Sequence, residues 1–158
     1  MPRTLSFLGL ATLFACLSMV SSVHAQSHYS VGQRLSAEQS KALGALKVVE
    51  INHRKYQVLD TGKNAASLPF TMLLDANGTV GQTYHEIQVV EQPTEQVRQK
   101  LASVLSQAQD VKSYDHMQLT LLRFGTLDEA IQALAAIHTA MPQAEVALPI
   151  TVSRPSLR

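Results

Sequence analysis

Apolar residues recur along this chain in two rhythms, and the changes of rhythm mark its elements. Ser36, followed three residues on by Gln39, has the form of a capping box, in which each side chain satisfies a backbone amide near the other. It predicts a short helix to about residue 46 carrying Ala42, Leu43 and Leu46, with Gly44 set in it against its propensity. Val48, Val49 and Ile51 form an extended apolar run, Asn52-His53 a turn, residues 56–59 a return strand and 62–67 a loop. Residues 68–74 make another strand, ended by Asp75-Ala76-Asn77-Gly78; Asn-Gly tolerates the positive φ of a hairpin turn. Residues 79–84 return. The stretch 36–83 thus reads as a helix and two hairpins, preceded by a polar, aperiodic segment, 26–35, expected to be loose.

From residue 85 the order changes. Ile87, Val89 and Val90 predict a strand that stops at Pro93, and Thr94 is placed to cap a helix over 95–108. Val97, Leu101, Val104, Leu105 and Ala108 recur three and four apart along it. Residues 111–114 make a short strand, Asp115-His116 a turn, and 117–124 a longer strand with Leu119, Leu121 and Phe124 assigned to one side. Thr126 and Glu129 form a second capping box, with Asp128 and Glu129 suited to the helix dipole. The helix over 126–141 has Leu127, Ile131, Leu134, Ala135 and His138 on its apolar face and Pro142 at its end. Val146, Leu148 and Ile150 alternate as a half-buried strand over 144–152. The resulting β-α-β-β-α-β order, with right-handed crossovers, places both helices on one face of a four-stranded antiparallel sheet, a ferredoxin-like sandwich. The other face is left for solvent, the first subdomain or a partner. The fold class is therefore α+β: a helix-plus-hairpins subdomain over 26–83, a ferredoxin-like domain over 84–152 and an extended tail over 153–158.

The N-terminus modifies this picture. Arg3, an apolar run over 5–20 and Ser21-Ser22-Val23-His24-Ala25 have the n-, h- and c-regions of a secretory signal peptide, cleaved after Ala25. A rival reading takes Leu13-Phe14-Ala15-Cys16 as a lipoprotein box, which Phe14 fits poorly. Cleavage leaves 133 of 158 residues, without Cys16, the sole cysteine, so packing alone would hold the exported protein. The leader carries one of the 13 Lys and Arg residues and none of the 12 acids, so the remainder is formally neutral. Neutrality without a basic cluster argues against nucleic acid or an anionic membrane as partner. The expected location is the periplasm, or the medium if the protein leaves with a partner.

Little in the sequence suggests catalysis. His28, His53, His85, His116 and His138 show no metal-ligand spacing, and no nucleophile elbow or phosphate-binding glycine loop is present. No cofactor is expected, and the chain reads as a non-enzyme. Asn77-Gly78-Thr79 matches a glycosylation sequon that the tight turn explains equally well. Asp115 sits at a hairpin tip, where it is either a solvated turn residue or a carboxylate able to cap a helix of a partner protein. Ser153, Arg154, Pro155, Ser156, Leu157 and Arg158 form an extended polar tail, either a frayed end or a segment for a protease groove, with Arg158 or Arg154 in a specificity pocket.

The element order, the passage Leu119-Thr120-Leu121-Leu122-Arg123-Phe124-Gly125-Thr126-Leu127-Asp128-Glu129-Ala130 and the strand-plus-tail ending together resemble the propeptide-type inhibitors of subtilisin-family proteases. The added N-terminal region and the leader look more like the stand-alone external chaperone of a secreted, kexin-like bacterial serine protease. The resemblance implies an inhibitor that assists protease folding in a 1:1 complex, packs its sheet on the enzyme and sends its tail into the cleft. Carried over by position, Ser153 to Arg158 would bind the cleft and Asp115 would cap a protease helix. The alternative is a periplasmic ligand-binding or assembly module that uses the same open sheet face.

Overall fold

The computed structural model describes residues 29–153; the expected leader and Cys16 lie outside the described residues. The first half begins with α1 (Ala37–Ala42), where Ser36 and Gln39 form the capping box in both directions. The helix ends earlier than residue 46 because Gly44 takes φ +70° just past the C-cap Leu43, the usual glycine stop. β1 (Val48–Ile51), β2 (Arg54–Lys63), β3 (Pro69–Leu74) and β4 (Val80–Thr83) then form one antiparallel meander in that order. The two expected hairpins are therefore continuous, since β2 runs on through Gly62 and pairs with β3 along most of its length.

The second half carries β5 (Glu86–Val90), α2 (Thr94–Lys100), α3 (Ala102–Leu105), β6 (Asp110–Tyr114), β7 (Leu119–Arg123), α4 (Leu127–Ala140) and β8 (Glu145–Ala147). Its sheet has the order β6-β7-β5-β8, antiparallel throughout. Numbered within the unit, that is 2-3-1-4, the ferredoxin-like arrangement expected from the sequence. The helix expected over 95–108 is broken at the fully buried Leu101, whose backbone leaves the helical region. Thr94 does not cap it: Pro93 holds the N-cap position without a side-chain bond, and the Thr94 hydroxyl is used elsewhere.

Two buried clusters organise the molecule. The larger joins Ile87 and Val89 of β5, Leu122 of β7, and Val97, Leu101, Leu127, Ala130 and Ile137 of the helices to Val49, Ile51 and Leu73 of the first sheet. The smaller lies on the other side of the first sheet, around Leu35, Phe70, Met72, Leu74 and Val80. Alternation along β3 serves both, Leu73 facing one cluster and Phe70, Met72 and Leu74 the other. In α4 the core stripe is Leu127, Ala130, Ala133, Leu134, Ile137 and Met141. Ile131 packs against the edge of that cluster as expected, whereas Ala135 and His138 are exposed and look across a groove at Glu50, Asn52 and His53 of the first hairpin.

Candidate functional site

The register of the second sheet separates its two faces. Ile87, Val89 and Leu122 point into the core, so the alternate residues point away from the helices. These are Glu86, Gln88 and Val90 of β5, Leu119, Leu121 and Arg123 of β7, Asp110, Lys112 and Tyr114 of β6, and Glu145 and Ala147 of β8. The expectation that Leu119, Leu121 and Phe124 share a side fails for this reason: Phe124 follows the end of β7 and is buried in the core, whereas Leu119 and Leu121 occupy the outer face. Neither leucine, nor Val90, packs into either buried cluster. Among the described residues the first sheet meets the helix side of the sandwich and leaves this outer face uncovered.

The face is polarised along the strands. Val90, Tyr114, Leu119 and the centrally placed Leu121 give one end a largely apolar character beside the exposed Glu145, with Tyr114 38% exposed and, on the adjoining turn, Met117 52% exposed. At the other end Arg123 donates Nη2 to Glu86 Oε2 at 2.5 Å and lies 3.7 Å from Asp110 Oδ2. That pair is largely sheltered, and the Arg123 Nε is buried without a hydrogen-bond partner. An exposed apolar patch rimmed by polar and charged groups is of the kind that can receive another protein.

Asp115 opens the 3-10 turn Asp115–Met117, closed by Gln118 in the left-handed region at φ +48°. Its Oδ1 accepts a hydrogen bond from the Thr94 hydroxyl, so the exposed carboxylate stands beside the first residue of the chain's own α2. It lies at the apolar end of the open face.

The C-terminal segment takes a different course from a simple continuation of the last strand. β8 stops at Ala147, since Pro149 has no N–H for a ladder. The chain then crosses to the first sheet, where Thr151 and Gln82 exchange both backbone hydrogen bonds at 2.8 and 2.9 Å. Gly81 permits this approach: a Cβ there would stand 2.6 Å from the Ile150 Cγ2. Upstream on the same edge, Gly32 and Gln33 bond Val80, and Leu35 donates to the Gly78 carbonyl. The segment expected to be loose is thus held to β4 from Gly32 onward. Ser153 leaves from this junction, whereas Arg154, Pro155, Ser156, Leu157 and Arg158 lie outside the described residues. Ser153 thus stands beside Gly32 at the edge of the first sheet, whereas Asp115 lies at the end of β6 in the second.

His85 links the two halves. It is buried, 2% exposed, with φ +57°, and its Nε2 lies 2.7 Å from the Thr71 hydroxyl. Burial lowers its pKa, against opposing pulls from the Gly125 backbone and the Glu129 carboxylate; its Nδ1 has no hydrogen-bond partner. Among the described residues no group of three or more His, Cys, Asp and Glu side chains is placed to hold a metal, and no helix is long and apolar enough to cross a membrane.

No protein-family model matches the chain, and no curated protein does. Among solved structures, a chain from the crystal structure of the Aeromonas sobria serine protease in complex with its chaperone aligns at a TM-score of 0.47 and 10% identity. The alignment covers 71% of this chain and 100% of that one. At that score it establishes no common fold.

Proposed function

We propose that this protein is an exported, non-enzymatic chaperone and tail-in-cleft inhibitor of a subtilisin-like serine protease. The observation that carries the reading is the uncovered, partly apolar face of the ferredoxin-like sheet, together with a C-terminal segment that leaves the body from a fixed point on β4. A slow-folding enzyme that packs on this face only in its native-like state is stabilised by mass action. The residues beyond Val152, delivered in extended form, then fill the substrate groove as an added strand, with Arg158 or Arg154 as the basic side chain in its pocket. Asp115, at the apolar end of the face, is the second grip, its carboxylate offered to a helix N-terminus of the enzyme.

Deletion of Ser153 to Arg158 separates the two parts of this mechanism, because the Thr151–Gln82 bonds stay in place. The truncated and full-length proteins are to be compared against a secreted subtilase that lacks its own propeptide. The truncated protein should keep its circular dichroism spectrum, still speed refolding of the enzyme, and lose inhibition. Undiminished inhibition would sink the tail mechanism. If neither protein binds the enzyme or speeds its refolding, the reading fails as a whole and a periplasmic assembly or ligand-binding module takes its place.

A further inference from the structure

The fold brings together two histidines that lie far apart in the sequence. His53 is the second residue of the Asn52-His53 turn between β1 and β2, at φ +63°, and His138 lies in the last turns of α4. Their ring centroids are 6.5 Å apart, with the planes tilted by 40°. Both residues are exposed, and they line a groove of about 220 Å³ together with Glu50, Ile131 and Leu134. The backbone on both sides is fixed. Asn52 Nδ2 donates to the Leu148 carbonyl at 2.9 Å, and its Oδ1 accepts from the Leu148 amide at 3.2 Å, which pins the hairpin tip. Lys47 and Asp128 meet at 2.6 Å across the same seam.

We propose that His53 and His138 bind one transition-metal cation of the Zn²⁺ class between them, with water completing the coordination. Imidazole nitrogen suits borderline cations such as Zn²⁺, whereas Mg²⁺ and Ca²⁺ prefer oxygen donors. Zn–N bonds of about 2.0–2.1 Å around a tetrahedral centre put two ring centroids about 5 Å apart. From 6.5 Å the rings must close by roughly 1.5 Å, which rotation of two exposed side chains about χ1 and χ2 supplies. Glu50 also lines the groove but does not complete a three-ligand set. With two protein ligands the site is of the exchangeable kind, unlike the four-ligand structural zinc sites. Its consequence is mechanical: the metal staples the first hairpin to α4, and so the first sheet to the helix layer. The proposal is independent of any protease partner.

Calorimetric titration of the full chain with ZnCl₂ tests it, with hydrogen exchange measured with and without the metal. One Zn²⁺ should bind per chain, and MgCl₂ should give no heat. Binding should be lost in His53→Asn, chosen because Asn tolerates the positive φ, and in His138→Gln. It should be kept in His116→Gln, which lies outside the groove. Exchange should slow at the β1–β2 turn and in the C-terminal half of α4. In the unmutated protein, Zn²⁺ should also protect these two histidines from acylation by diethyl pyrocarbonate, a readout that does not depend on the variants folding. Binding that survives both substitutions, slowing confined to other regions, or no protection of His53 and His138 overturns the proposal.

Discussion

His85 stands where the first sheet hands over to the second, and its burial has a consequence that depends on pH. The neutral ring fits its buried site beside Thr71, whereas the charged ring would lose its hydration there, a cost that the Gly125 backbone and the Glu129 carboxylate only partly offset. Burial therefore lowers the folded-state pKa below the unfolded value of about 6.5. Above that pH neither state is protonated and His85 adds no slope. Below it the unfolded chain takes up a proton that the folded chain refuses, so stability falls as pH falls, by at most about 1.4 kcal/mol per pH unit. Urea unfolding followed between pH 8 and 5 should show this loss setting in near 6.5. His85→Asn, which accepts the same positive φ, should flatten that part of the curve at the cost of some packing. An unchanged slope in the variant would assign the acid sensitivity to other groups.

At the scale of elements, the C-terminal helix is the part most fully specified by its own sequence. Thr126 Oγ1 accepts from the Glu129 amide at 3.2 Å, and Glu129 Oε2 accepts from the Gly125 and Thr126 amides at 3.0 and 3.1 Å. Thr126→Ala should lower stability by about 1 kcal/mol in denaturant titration, with the fold intact. The crossing of the C-terminal segment is a different kind of element, made by a residue with no side chain. Gly81→Val would place carbon where Ile150 Cγ2 now lies, 2.6 Å from the Cβ position. It should free Thr151 from Gln82, seen as faster amide exchange at both, while the second sheet keeps its protection. These two cases also divide what the sequence disclosed from what it did not. The capping boxes at Ser36 and Thr126, the Asn-Gly turn and the β-α-β-β-α-β order are local signals and were readable. The outward turn of His138 was not, because Ala135 and His138 meet the first hairpin across a groove that no local period encodes. The strand exchange after Ala147 left one trace, Pro149, whose missing N–H forbids a continuous strand. Its destination, the edge of β4, is a long-range pairing to which spacing gives no clue. Of the proposed site, the sheet face was foreseen from topology, but its apolar content was misassigned through Phe124.

The whole molecule is a two-sheet body that shares one buried cluster, with α4 meeting the first sheet at Lys47–Asp128 and His53–His138 and, among the described residues, one broad face of the second sheet bare. Leu119 and Leu121 are the test of what that face is for. Since neither belongs to a buried cluster, Leu121→Asp should cost only the poor strand propensity of Asp, about 1 kcal/mol, and leave the fold intact. On the proposed reading it should nevertheless abolish binding to the protease in sedimentation or calorimetry, and with it the gain in refolding rate. Equal loss of stability and binding would make the residue structural instead. The attachment of the C-terminal segment also sets how the body responds to being pulled. A load applied beyond Ser153 reaches the fold through the Thr151–Gln82 exchange of two hydrogen bonds before it reaches either core. The attachment is thus a short mechanical fuse: under tension the last strand peels from β4, lengthening the reach of the chain by a few residues while both sheets stay folded. On the proposed reading, slack of this kind would let one rigid body serve a cleft whose distance from the docking surface changes as the enzyme completes its folding.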